Sequence, residues 1–320
     1  MTPIYPENAL ILAPLSGFTD AAYRAAARKC GCNFAFTEMV DAASLAYAAK
    51  RAEPMLFREE EEAFLGVQLE GAEPELFKIA CGKLNDFEFS LLDLNLGCPV
   101  PKVVKKGAGA ALGRNPDLAL KIFEIMGKYS RFPLTAKLRI IDENDPRPTV
   151  ELCKGLAELG ARALTIHGRT WEHFYTGAVH FDQIAAVREA LPDIPVIANG
   201  GVNSPETYEE MRRETGCSRV MLAQGAMGNP WLFRVLAGGS DPTLDEWREV
   251  VLFHVDGMIR LYGEATALVQ ARKIVHDYLK GRGFPGSARA AASGLNTRDQ
   301  LVRLLSEVAP VAPSATRRMA

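Results

Sequence analysis

Cys98 closes the run Leu91-Leu92-Asp93-Leu94-Asn95-Leu96-Gly97-Cys98-Pro99, an apolar, strand-like stretch that ends in Asn-x-Gly-Cys-Pro. That order puts a thiol on a tight turn where a strand stops, with the polar Asn95 beside it. Strands buried on both faces read as near-continuous apolar runs, and such sheets carry their chemistry at the strands' C-terminal ends. A small buried cysteine would fit the same composition, but the turn position favours a thiol that acts on something bound above the sheet. Other residues able to do chemistry stand at the ends of other apolar runs: Pro14-Leu15-Ser16, Glu38, Gln68, Lys137 with Arg139, His167, Asn199-Gly200-Gly201 and Gln224-Gly225-Ala226. Lys137 is expensive on a buried strand unless it has a partner. Lys137 and His167 offer positive charge or donors, although His167 alone fits a satisfied core histidine equally well. Gln68 and Asn95 supply amides suited to the edge of a flat heterocycle. The glycine-rich late loops suit a phosphate held by backbone N–H groups.

These residues need a scaffold that brings strand ends together. Short apolar runs occur at 9–13, 33–37, 64–69, 89–96, 134–140, 163–166, 195–198 and 219–223, and most are separated by helix-length segments. Predicted helices cover 20–29, 74–83, 116–129, 150–159, 181–190 and 205–213. Eight such βα units close into a (β/α)8 TIM barrel, in which the residues after each run share one mouth. Gly238-Gly239-Ser240-Asp241-Pro242 is the strongest break. Beyond it the strand pattern gives way to helices near 243–263, 266–283 and 295–308. The expected organisation is a catalytic barrel over 1–240, a small C-terminal all-helical domain over 241–308, and a disordered tail over 309–320. Gly107-Ala108-Gly109 resembles part of a dinucleotide loop, but Leu112 occupies the third glycine position, so a flexible loop is expected.

The 320 residues carry a net charge of −2 and 48% hydrophobic residues, an ordinary soluble composition with no overall pull towards polyanions. From Thr243 onwards, however, eleven Lys and Arg face eight Asp and Glu, a local net charge of +3. The six cysteines show neither a redox C-x-x-C nor a usual zinc spacing, and no metal is expected. No apolar run approaches a membrane span, and residues 1–8 do not read as a secretory signal. A cytoplasmic, monomeric protein with reduced thiols is expected.

Several motifs, taken together and in order, resemble the tRNA-dihydrouridine synthase family. They are Ala13-Pro14-Leu15-Ser16-Gly17-Phe18-Thr19-Asp20, Val67-Gln68-Leu69-Glu70-Gly71, Leu94-Asn95-Leu96-Gly97-Cys98-Pro99, Ala136-Lys137-Leu138-Arg139, Ile166-His167-Gly168-Arg169-Thr170, Pro195-Val196-Ile197-Ala198-Asn199-Gly200 and Gly225-Ala226-Met227-Gly228-Asn229-Pro230-Trp231, with Ala271-Arg272-Lys273 in the tail. The resemblance implies an FMN barrel that reduces the C5–C6 bond of uridines in tRNA with electrons from NADPH. Cys98 would be the catalytic acid. Pro14, Leu15, Ser16, Gln68, Asn95, Lys137, His167, Asn199, Gly200, Gly201, Ala223 and Gln224 would hold the cofactor. Lys102, Lys105, Lys106, Arg139, Arg272 and Lys273 would contact tRNA, though lysines such as Lys105 and Lys106 are most often plain solvated charge.

Two departures stand out. Ala223-Gln224 replaces the family's usual Gly-Arg, which predicts a looser phosphate site. Ile140-Ile141-Asp142-Glu143 lacks the small or glycine residues common there. Rival readings are a flavin barrel acting on a free pyrimidine, a Schiff-base lyase using Lys137, and a non-catalytic tRNA-binding protein.

Overall fold

The computed structural model describes residues 3–309, so most of the expected disordered tail, from 310 on, lies outside the described residues. Its eight strands are β1 (Leu10–Leu12), β2 (Phe34–Asp41), β3 (Leu65–Glu70), β4 (Leu91–Leu96), β5 (Leu134–Arg139), β6 (Leu164–His167), β7 (Val196–Asn199) and β8 (Arg219–Leu222). They pair in parallel and in sequence order, and β8 returns to β1. The fold is the (β/α)8 TIM barrel that the alternation predicts.

Period-two alternation divides each strand between two environments. Leu92, Leu94, Leu96, Ala136, Leu138, Ile166 and Ala198 are buried on one set of positions. The alternating set fills the barrel. Its floor is Ile11, Phe36, Leu91, Ala163, Ile197 and Met221, packed with Tyr5 from the segment before β1. Tyr5, Phe34 and Phe64 meet with ring centroids 5.2–5.6 Å apart and close that end. Above this floor the buried side chains turn polar: Gln68, Asp93, Asn95, Thr135, Thr165, His167 and Asn199.

The β2–β3 register shifts between Phe36 and Met39. A bulge of this kind re-aims the residues after it. Here the Glu38 carboxylate accepts the Gly17 N–H at 2.9 Å, and Thr19 Oγ1 accepts the Leu15 N–H at 2.9 Å. Together they pin the turn that follows β1.

Packing places residues 20–32 with everything from Gly225 onwards in a second compact unit, while the remainder forms the barrel unit. The Gly238–Pro242 break thus lies inside the second unit. Its helices are Ala21–Lys29, Leu232–Leu236, Leu244–Tyr262, Glu264–Leu279, Gly286–Ser293 and Arg298–Glu307. The first begins where Asp20 accepts the Tyr23 N–H at 2.8 Å, and the Tyr262 hydroxyl bonds the same carboxylate at 3.0 Å. Tyr23, Trp231, Trp247 and Tyr278 are fully buried there. The helix Gly286–Ser293 was not expected from sequence. Its GSARAAAS composition has no apolar stripe to read.

Gly228 is the backbone contact on which this unit's packing closes. It has φ +63°, and a Cβ there would overlap the backbone of Asp277 and Tyr278. Positive φ and overpacking add, so Gly228→Ala should destabilise the protein by about 2–4 kcal/mol. Thermal denaturation checks this, and an unchanged melting temperature would show that the contact has slack.

Candidate active site

Asp93 on β4 organises the polar layer. It is 1% exposed, and its two oxygens accept from Thr135 Oγ1 at 2.6 Å and Gln68 Nε2 at 2.7 Å. Gln68 Oε1 in turn accepts from Asn95 Nδ2 at 2.7 Å. Asn95 Oδ1 is left to accept the backbone N–H groups of Gly97 (3.1 Å) and Cys98 (3.0 Å). One continuous chain of hydrogen bonds therefore runs from β5 through β4 and β3 to the turn that carries the thiol. Strand register makes this possible by setting Gln68 against Asp93, Asp93 against Thr135 and Asn95 against Lys137.

Arg139 holds the same turn from the other side. Its Nε donates to the Gly97 carbonyl at 2.8 Å and its Nη1 to the Thr170 carbonyl at 3.0 Å. The Ala110 N–H bonds the Cys98 carbonyl at 3.0 Å. Gly109, at φ +60°, lies so close that a Cβ would sit 2.6 Å from that carbonyl. Gly107-Ala108-Gly109 thus belongs to an ordered segment between the short helices Pro101–Val104 and Ala110–Gly113, not to the flexible loop expected. The glycine provides room rather than mobility.

Cys98 is half-buried, whereas the other five cysteines are buried. Burial pushes its thiol up, and Glu70 pushes the same way. The Val100 N–H, Lys137 and Arg139 oppose the rise without reversing it. Glu70, at the end of β3, is 8% exposed, and its Oε2 has no hydrogen-bond partner among the described residues. Burial and Asp41 raise its own pKa. The site therefore keeps a neutral thiol at neutral pH, suited to giving a proton rather than to attacking as thiolate.

Lys137 projects among these groups. Burial and Arg139 lower its pKa to about 8, while Asp93 and Cys98 favour its charge. Asp93 is pushed up to about 6 by burial, against the bonds from Thr135 and Gln68 and the charge of Lys137. Each favours the charged form of the other against the burial that opposes both. His167 is driven well below its usual value by burial and by Lys137, Arg139 and Arg169, so its ring is neutral.

At the late strand ends, Asn199 Nδ2 bonds the Met221 carbonyl at 2.8 Å and ties β7 to β8. Gly200 (φ +123°) and Gly201 (φ +74°) follow. A Cβ on Gly200 would lie 2.8 Å from the His167 ring, and one on Gly201 would lie 3.8 Å from an Arg169 guanidinium nitrogen. This open glycine turn with an adjacent cation is a fitting anion cradle. Sequence reasoning passed over Arg169, although it stands within the quoted His-Gly-Arg-Thr motif. Ala223 packs against the barrel floor, and Gln224 is exposed in the turn Gln224–Ala226. Pro14, Leu15 and Ser16 form the pinned turn after β1.

The other expected contacts are distributed unevenly. Lys102 and Lys105 are exposed beside Cys98, and Lys106 pairs with Asp41 at 2.5 Å. Arg139 is buried and bonded as described. Arg272 and Lys273 lie on the helix Glu264–Leu279 of the second unit. Arg272 there bonds the Leu295 carbonyl and Asn296, leaving Lys273 exposed. Sequence reasoning also missed an aromatic rim on the segment between β6 and the helix Phe181–Ala190. Phe174 and Tyr175 are 41% and 47% exposed, and the Arg139 guanidinium sits 5.5 Å from the Tyr175 ring centre. Among the described residues no cluster of His, Cys, Asp and Glu could hold a metal ion, and no helix is long and apolar enough to cross a membrane.

Residues 11–311 match the family model described as Dihydrouridine synthase (Dus). The chain is 32% identical over 306 residues to tRNA-dihydrouridine synthase B of Pasteurella multocida, covering 93% of this chain and 92% of that protein. It is 33% identical over 284 residues to the protein of the same name in Pseudomonas aeruginosa, covering 87% and 85%. Among solved structures, histamine dehydrogenase from Rhizobium sp. 4-9 shares the fold with a TM-score of 0.53 at 13% identity. That match covers 78% of this chain and 48% of the solved one, so the chain spans about half the length of that neighbour.

Alkylation reads the state of the thiol directly. The rate of Cys98 modification by iodoacetamide should rise with a midpoint above that of a free cysteine. Lys137→Met should move the midpoint further up, because it removes a charge that favours the thiolate. A midpoint near neutrality would mean that the site stores a thiolate instead.

Proposed function

Because the chain belongs to the dihydrouridine synthase family, we propose that it reduces uridines in tRNA to dihydrouridine, with a bound flavin as the immediate reductant and Cys98 as the acid. The observation that carries this reading is a neutral thiol on a turn pinned from three sides, set at the same mouth as Lys137. FMN held at this mouth, with NADPH as the electron source, would supply the hydride chemistry for C6 of the uracil ring.

The chain's own residues do the rest. Hydride addition at C6 leaves negative charge on the C4 carbonyl and a carbon at C5 that needs a proton. The Cys98 thiol gives that proton, and the resulting thiolate is restored from solvent. A positioned acid of this kind contributes about 10²–10⁴-fold. Lys137 would present a cation to the cofactor ring, where it would favour the negative charge of the reduced state. Gln68 and Asn95, already ordered by Asp93, present amide groups to flat heterocycles. Pro14, Leu15 and Ser16, in the turn after β1, would hold the cofactor from that side. Gly200 and Gly201, with Arg169 near Gly201, would hold its phosphate. Neutral His167 stands against the same turn.

The target base must leave its stack to reach such a mouth. Exposed Phe174 and Tyr175 offer stacking surfaces for nucleobases, and Lys102 and Lys105 follow the backbone charge. The helical unit, with its surplus of Lys and Arg, adds a second basic surface, on which Lys273 is free to meet phosphate.

Cys98→Ala should leave NADPH-dependent bleaching of the flavin intact while dihydrouridine formation falls by about 10²-fold or more. Loss of both half-reactions together would make Cys98 structural.

Arg169 changes the expectation for the phosphate. With a guanidinium already at the glycine turn, Gln224→Arg should tighten flavin by less than about threefold. Arg169→Gln should weaken it by about tenfold, the difference between charged and neutral hydrogen bonds. Titration of apoprotein with FMN separates the two, and the assignment fails if Gln224 proves the stronger position.

A further inference from the structure

Glu143 belongs to the stretch that departs from the family's pattern, and the proposed chemistry makes no use of it. It lies just beyond β5, 40% exposed, and its Oε2 faces two imidazoles: His173 Nε2 at 3.0 Å and His180 Nε2 at 3.8 Å. Its own carbonyl accepts Gln183 Nε2 at 3.2 Å. His173 stands on the outgoing limb of the segment 169–180 and His180 on the returning limb. One carboxylate therefore closes both limbs of the strap that carries Phe174 and Tyr175.

The strap has no strand ladder: the His180 N–H closes its base on the Gly168 carbonyl at 2.7 Å, local turns at Phe174 and Thr176 shape it, and side chains tie the rest to the barrel. Arg139 bonds its start at the Thr170 carbonyl. Arg114 bonds Glu172 at 2.8 Å and lies 5.4 Å from the Trp171 ring centre. Arg169 Nε donates to the Gly177 carbonyl at 3.0 Å. The outgoing limb is tied at His173 to Glu143, just beyond β5. Two exposed aromatic rings on a segment held this way mark a binding surface more than a packing remnant. Holding the rings in place before binding lowers the ordering penalty that binding would otherwise carry.

We propose that Glu143 is a positioning residue for RNA: a carboxylate clasp that holds the aromatic strap ready for the nucleotides around the target uridine. A glycine or small residue at this position could not make the clasp. The proposal rests on the reading of the mouth as a tRNA uridine site, and its test has one arm that does not.

In the RNA-free holoprotein, Glu143→Ala should speed amide hydrogen exchange across 170–178 and raise acrylamide quenching of Trp171. The other two tryptophans, Trp231 and Trp247, are fully buried and report little. With tRNA, the same variant should raise KM by about threefold to tenfold and leave kcat within about twofold. Glu143→Gln, whose amide oxygen can still accept from His173, should fall between it and the natural protein. His173→Ala should match Glu143→Ala, and the double variant should be no worse than either. Unchanged strap exchange in Glu143→Ala would overturn the clasp. Faster exchange with an unchanged KM would overturn its role towards RNA. A natural protein that never reduces tRNA would instead sink the functional reading, while the exchange arm still decides whether the clasp exists.

Discussion

Both oxygens of the Asp93 carboxylate accept hydrogen bonds, one from Thr135 and one from Gln68, and that arrangement orders the barrel's mouth. Gln68 must turn its NH2 towards Asp93, so its oxygen faces Asn95. Asn95 must then give its NH2 to Gln68, so its oxygen faces the two backbone N–H groups of the Cys98 turn. Amides are otherwise free to flip. Here the chain is fixed at both ends, by a carboxylate whose two oxygens accept and by backbone donors that cannot accept. Each link contributes about 1 kcal/mol, but an unmade bond at this depth costs about 1–3 kcal/mol, so the arrangement is favoured mainly by what a flip would break.

The same carboxylate explains how a lysine can sit in the barrel. Burial and Arg139 work against its charge, and Asp93 works for it. The balance leaves a mouth that holds Lys137, Arg139 and Arg169, all favourable to a bound anion. That surplus has a consequence for its neighbours. Together with burial, which is the larger cause, it keeps His167 in the neutral form, so the imidazole serves as a hydrogen-bonding surface and not as a further cation. It also pulls on the Cys98 thiol, which would drift towards thiolate if burial and Glu70 did not hold it up. Glu70 thus offsets at the thiol part of the field that Lys137 and Arg139 create there.

How far this was legible in the sequence follows from the range of the interactions. The apolar runs at 89–96 and 134–140 are local, and β4 and β5 lie within them. Proline-led helices such as Pro116–Tyr129 and Pro205–Thr215 announce their starts locally. The helices Ala42–Tyr47 and Gly286–Ser293, rich in small residues, present no stripe and were missed. Among site residues, types at strand ends could be read, but partners could not. Arg139 was expected to face RNA, whereas its guanidinium bonds carbonyls 42 and 31 residues away. Such pairings depend on which strands become neighbours and in what register, which no local pattern carries. Arg169 was visible in its motif, yet only the fold sets it beside Gly201.

Close approach of backbone to backbone is the remaining constraint, and it accounts for glycines that composition alone presents as slack. A Cβ on Gly113 would lie 2.5 Å from the Leu96 carbonyl, just as one on Gly109 would crowd the Cys98 carbonyl. Both residues bring the segment after Cys98 back against the end of β4, where the Ala110 N–H takes the Cys98 carbonyl. The turn then has the Asn95 amide on its N–H groups, Arg139 on the Gly97 carbonyl and Ala110 on the Cys98 carbonyl. With its backbone donors and acceptors occupied in this way, the thiol keeps few freedoms beyond rotation about its own χ1. In the proposed role of proton donor the thiol would gain from that restriction, because the transfer geometry is set before the substrate arrives.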